Sequence, residues 1–184
     1  MLQQVDMQSD FTTDQHLECH ERELDVLASV SAILASHSGQ QEMLTQVLHE
    51  LEQKLGMHHS TVMLLSADGS ELIVEATRSV HPQDWHALRY QRGEGVIGDV
   101  LQTGRPAIVP RISQEPSFTN RIYRRPEGGA QDAGFICVPI ELGNEVIGTL
   151  SADLAPQPIE LLRERARVLK IVASLIAFDV KARR

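Results

Sequence analysis

Aromatic side chains are scarce in this sequence: Phe, Tyr and Trp together make 4% of its 184 residues. A core must therefore be built from Leu, Ile, Val and Ala. The hydrophobic share of 42% is enough for that without covalent or metal staples. Cysteine is nearly absent. Cys19 and Cys137 fall in different expected elements and no CxxC pair occurs, so neither a disulfide framework nor a structural zinc site is suggested. Positive charge is short as well. Seventeen Lys and Arg against 25 Asp and Glu leave a formal charge of -8, so direct nucleic-acid contact by this segment is not expected. No apolar run is long enough for a bilayer, and Met1–Thr13 lacks the basic and apolar regions of a signal peptide. The expectation is a cytoplasmic, non-membrane chain with a flexible tail over 1–20 and one domain with flanking helices over 21–182.

What is present divides by period. From Glu21, Leu24, Leu27, Ala28, Ile33 and Leu34 recur at helical steps, and Gly39 reads as a helix stop. Met43, Leu44, Val47, Leu48, Leu51 and Leu55 mark a second amphipathic helix ending at Gly56. The period then falls to two. Ser60–Leu65 and Glu71–Ala76, joined by Asp68-Gly69, predict a hairpin. A short helix is expected around Trp85–Leu88 and another over Val96–Thr103, before Gly104. Pro106–Pro110 predicts a short strand, and 111–133 a long loop holding one short helix. Phe135–Ile140 and Glu145–Asp153 predict a second hairpin about Gly143-Asn144, with Pro139 limiting the ladder near the end of its strand. A long helix follows from Ile159 to Val180. The order fits an α+β domain: an antiparallel sheet with terminal helices covering one face.

Chemical motifs are sparse. Gly93, Gly95 and Gly98 match the spacing of a dinucleotide-binding loop, but no βαβ unit surrounds them, and the Lys-Ser/Thr of a P-loop is missing. A tight turn feeding a short helix that approaches the sheet closely explains them better. Arg111, Asn120 and Arg121 offer donors to an anionic ligand, or are solvated loop residues. Cys137, in an apolar strand, reads as a buried thiol. His16, Cys19 and His20 lie close in sequence, and an exposed cluster is favoured there over a metal site. No Ser-His-Asp or Cys-His spacing suggests catalysis.

Together, Tyr90–Val100 with its Gly-Glu-Gly-Val-Ile-Gly core, Gly104–Arg121, Phe135–Ile140 and Val146–Ala152 resemble a GAF domain. More narrowly, they resemble the N-terminal GAF domain of NifA-type activators. The resemblance implies a central antiparallel sheet of five or six strands, with the N- and C-terminal helices packed on one face. The long loop would cover a pocket on the other face.

It also implies a sensory role, not an enzymatic one. The domain would control an AAA+ ATPase and a helix-turn-helix domain of a longer sigma-54-dependent activator, and would form a homodimer through its terminal helices. A small-molecule effector would bind among Met63, Tyr90, Val96, Cys137 and Ser151, under Arg111, Asn120 and Arg121. No cofactor is specified. A cluster-binding cysteine motif of the kind some relatives carry is not matched, because only Cys19 is present. Two alternatives stand beside this reading. One is a protein-interaction module without a small ligand. The other is a GAF-fold enzyme such as a free methionine sulfoxide reductase, which needs several pocket cysteines.

Overall fold

A computed structural model describes residues 6–36, 39–78, 88–119 and 132–183. The expected short helix around Trp85, together with Asn120 and Arg121, lies outside the described residues. Helix α1 spans Asp6–Leu34 and α2 Gln40–Leu55. Strands β1 (His58–Leu65), β2 (Glu71–Thr77) and β3 (Arg89–Gln91) follow. Helix α3 (Gly95–Thr103) leads to β4 (Ala107–Val109) and a 3-10 turn at Ile112–Gln114. The second hairpin, β5 (Gly134–Leu142) and β6 (Glu145–Leu154), precedes the long helix α4 (Ile159–Arg183).

The six strands form one antiparallel sheet in the order β3-β2-β1-β6-β5-β4. Five of them follow from local pattern; β3 does not. It is three residues long and is defined by pairing Tyr90 with Leu72. Pro139 sits without disruption in β5 because β4 reaches only Phe135–Cys137 on that side, so no strand there needs its missing N–H.

Two departures from expectation concern helix ends. α1 is helical from Asp6, well before Glu21, and no Gly or Pro occurs before Gly39 to stop it. Gly39 is not a stop. It has extended angles (φ -61°, ψ 151°) and caps the start of α2. Gly56 and Gly104 do end their helices, both in the left-handed conformation at φ 64° and 66°.

Alternation along the strands separates two cores. Val62 and Leu64 of β1, Ile136, Val138 and Ile140 of β5, and Leu150 and Ala152 of β6 face the helices. There they meet Leu44, Leu48 and Leu51 of α2 and Leu169, Val172 and Ile176 of α4. Each such fully buried aliphatic side chain contributes about 2 kcal/mol. Polar ties hold the helices to each other: Lys54 Nζ donates to Asp25 (2.7 Å) and Ser29 (2.8 Å) across α1 and α2, and Arg165 to Glu23 (3.1 Å) across α4 and α1. On α2, burial pushes the Glu52 carboxyl up, but hydrogen bonding and charge from Arg78, with His58, outweigh it and hold it below the usual range. None of the described helices is long and apolar enough to cross a membrane.

Candidate functional site

The opposite, distal face of the sheet carries the second core. Met63, Leu65, Leu72, Val74 and Phe135 form its floor, and Val96, Ile97, Val100 and Leu101 of α3 cover it. The glycine motif makes that cover possible. Gly93 (φ 76°) and Gly95 (φ 62°) turn the chain from β3 into α3, and the Gly93 N–H donates to the Gly98 carbonyl at 2.8 Å. A Cβ on Gly98 would run into the Gln91 carbonyl oxygen. The run is therefore a close-packed turn, in keeping with its reading as something other than a phosphate loop.

Of the residues expected around a pocket, Met63, Tyr90, Val96 and Cys137 share this buried cluster. Ser151 lies beside Cys137 in register and is 4% exposed. Arg111 is exposed at the start of the loop, ahead of the 3-10 turn. The loop's base is pinned by Ser113, whose N–H and hydroxyl donate to Asp132 at 3.1 and 2.7 Å, holding that carboxyl below its usual range. Further along, Phe118 meets Phe135 edge-on with ring centroids 5.0 Å apart, and Thr119 donates to the Tyr90 hydroxyl at 3.5 Å. Residues 112–119 thus close over the distal layer.

The layer is not uniformly apolar. Thr61, Thr149, Ser151 and Asp153 are all at most 4% exposed on this face. Thr61 pairs with Thr77 at 3.0 Å, and Asp153 with His59 Nδ1 at 3.0 Å. His59 was not expected at the site. It is placed there by an irregularity in β1 between His58 and Thr61, and it holds a positive φ of 48°. Nothing in the local sequence announces that bulge. Cys137 is buried beside Thr149, and burial pushes its thiol far up despite the Thr149 hydrogen bond. It therefore stays protonated and is a poor nucleophile. Among the described residues, no group of three or more His, Cys, Asp or Glu side chains is arranged to hold a metal ion.

An open hollow of about 480 Å3 lies elsewhere, over the outer side of β3, lined by Glu71, Arg89, Gln91, Arg92, Gly93 and Glu94. It contains none of the expected site residues. Its charges are already engaged: Arg89 pairs with Glu71 at 3.0 Å, and Glu94 accepts from the Gln91 N–H at 2.9 Å. The distal layer is the better candidate site because it is enclosed and combines apolar walls with a few convergent polar groups.

Comparison with known proteins agrees with this architecture. The GAF domain of nlh2 from A. aeolicus, crystallised in an inactive state, superposes with a TM-score of 0.78 at 22% identity, covering 90% of this chain and 99% of that one. The free methionine-R-sulfoxide reductase of Neisseria meningitidis superposes at 0.70 with 19% identity, covering 87% of this chain and 89% of that one, a likeness of fold alone. In sequence, the chain is 34% identical to the Nif-specific regulatory protein of Azospirillum brasilense over 88% of its length. It is 32% identical to the nitrogen fixation protein VnfA of Azotobacter vinelandii over 89%. It spans only 26% and 32% of those two relatives. The GAF domain family matches residues 40–180, so the chain belongs to the GAF domains and is homologous to part of the nitrogen-fixation regulators.

Proposed function

We propose that this GAF domain is the sensory unit of a NifA-type, sigma-54-dependent transcriptional activator. A small molecule binds the distal layer beneath the segment 112–119, and the terminal helices carry the change to an AAA+ ATPase and a helix-turn-helix domain of the longer protein. The observation that carries the reading is the buried polar row Thr61, Thr149, Ser151 and Asp153 in an otherwise apolar layer. A sheet face that served packing alone has no need of polar groups there, and keeping them buried requires partners, as Thr61 has in Thr77 and Asp153 in His59. Met63, Tyr90, Val96, Cys137 and Ser151 form the walls of the site, and Arg111 stands where its covering segment begins. The raised Cys137 thiol counts against thiol catalysis at this position.

The helices that would relay the signal are coupled to the sheet and to each other. α4 packs on β5, and Arg165 of α4 is tied to Glu23 of α1. A bound ligand biases such a two-state arrangement only by its difference in affinity for the two states. The test is a thermal-shift screen of the chain with 2-oxoglutarate, cyclic nucleotides and divalent metals. A true effector at 100-fold above its dissociation constant stabilises by about 2.7 kcal/mol, a shift of several degrees. No shift with any of them would remove the support for these effectors.

A second reading, a homodimer through the terminal helices, is favoured by a separate observation. Ile171 and Phe178 stand one heptad apart on α4 and are 47% and 70% exposed, with Leu175 between them. Leu161 and Leu24 are exposed as well, at 38% and 67%. Exposed apolar side chains gathered on one stretch of a helix, unlike singly scattered ones, mark a contact surface. Light scattering is expected to show a dimer, and Phe178→Ser to weaken it by about 2 kcal/mol, roughly 30-fold. A monomer at high concentration in the unmodified chain would exclude this reading.

A further inference from the structure

The outward side of α4 carries charge of one sign. Between Leu161 and Ala182 its exposed positions include Arg163, Arg167, Lys170 and Lys181 and no carboxylate; Glu164 and Asp179 are half-buried. The whole chain has a formal charge of -8, so this cationic stretch is local. Ile171 and Phe178 stand exposed within it, with Ser174 between them. The Ser174 hydroxyl donates to the Lys170 carbonyl at 3.0 Å, so its donor stays satisfied when a partner encloses it.

Helix α1 lies beside α4, tied to it by Glu23 and Arg165 at 3.1 Å. Val26 and Val30 turn one side of α1 into the core. Its outward side has a different character. Glu21, Leu24, Ala28 and Ala32 are exposed and follow at helical steps: a carboxylate, a large apolar side chain and two small ones. The two outward sides match in spacing. Leu24 and Glu21 precede Ala28 by four and seven residues; Ile171 and Arg167 precede Ser174 by three and seven, and Phe178 and Lys181 follow it by four and seven. With Ala28 set against Ser174, Leu24 meets Ile171 or Phe178, and Glu21 meets Arg167 or Lys181, whichever way the helices run. Contact of α4 with α4 about Ser174 is worse matched. It sets Arg167 against a second Arg167 or against Lys181, and like charges brought together in an interface are costly.

We propose that a second copy of this chain docks crosswise, the cationic and apolar side of α4 in one protomer lying on the Glu21, Leu24 and Ala28 side of α1 in the other. This inference rests on the dimer reading above and adds the surface that each helix meets. Two-fold symmetry supplies the reciprocal contact: where α4 touches the partner's α1, α1 touches the partner's α4. Four helices then enclose Leu24, Ile171 and Phe178, which the single chain leaves exposed. The small side chains of Ala28 and Ser174 set the helix separation at the centre, because the distance between packed helices follows the size of the residues at the contact. Glu21 and the α4 cations lie at the rim.

The experiment uses the full chain in a Cys19→Ser background, since Cys137 is buried. Ala28→Cys and Ser174→Cys are prepared separately, both at exposed positions, with an affinity tag on one so that the mixed product differs in mass. Under mild oxidation the mixture is expected to form a disulfide between the two variants, and Ser174→Cys alone is expected to form none. In analytical ultracentrifugation Glu21→Arg should weaken the dimer by about tenfold, and adding Arg167→Glu or Lys181→Glu should restore it. Ser174→Cys linking to itself while the mixture stays unlinked would overturn the crosswise pairing and leave a dimer with α4 on α4. A dimer that neither links in the mixture nor responds to Glu21→Arg would overturn it as well, by placing the contact on another surface. A monomer in the light-scattering measurement above would remove the dimer reading itself and this pairing with it.

Discussion

Gly98→Ala is expected to cost about 3 kcal/mol of stability, the upper end for forcing extra volume into a packed site. The reason is space. Gly98 is not among the positive-φ glycines, so an alanine there suffers no backbone conflict of that kind. Its Cβ, however, would overlap the Gln91 carbonyl oxygen and come within 3.2 Å of the Gly93 backbone nitrogen and carbon. All three are main-chain atoms and cannot rotate away. Gly93 and Gln91 are also bonded into the turn: the Gly93 N–H donates to Gly98 O at 2.8 Å and the Glu94 N–H to Gln91 O at 3.1 Å. Relief therefore requires moving β3 or α3, and with it the cover of the distal layer. Urea denaturation followed by circular dichroism measures the loss. A change below about 1 kcal/mol would mean that β3 and α3 are free to separate, and that the glycine spacing is not set by close approach.

Tyr90→Ala is expected to cost about 3–4 kcal/mol, as for other large buried aromatics. Tyr90 is fully buried although it lies on the three-residue edge strand β3. Its ring joins the cluster of Met63, Leu72 and Val100, and its hydroxyl accepts from Thr119 in the covering segment. The substitution opens a cavity in the layer and cuts a link to residues 112–119 together. Hydrogen exchange should accordingly accelerate at 112–119 as well as in β3. Tyr90→Phe separates the two effects: it keeps the ring and should cost about 1 kcal/mol for the lost Thr119 hydrogen bond, less than the cavity does. Equal losses for both substitutions would show that the hydroxyl, rather than the packed ring, is what holds the layer closed.

Much of the architecture was legible in local pattern. The Asp68-Gly69 and Gly143-Asn144 turns stand between runs of period two, and both hairpins formed where they predict. Alternation also sorted the faces: Met63 and Cys137 point away from the helices while Val62, Ile136 and Val138 point toward them. The start of α1 was missed because apolar periodicity begins only near Leu24, whereas the helix needs no periodicity to persist while Gly and Pro are absent. Gly39 was misread because glycine serves helix starts as well as stops, and only its backbone angles distinguish them.

The sequence by itself determined the period of each element, the turns between them and which side of each strand is apolar, because those depend on residues within a few positions of one another. Tertiary structure decided the rest. β3 is a strand only because β2 lies beside it, and the sheet order places β6 between β1 and β5. Glu23 meets Arg165 across 142 residues, and His59 meets Asp153 across 94. Such meetings follow from how the sheet is ordered and where it bulges, and no short window of sequence carries that information.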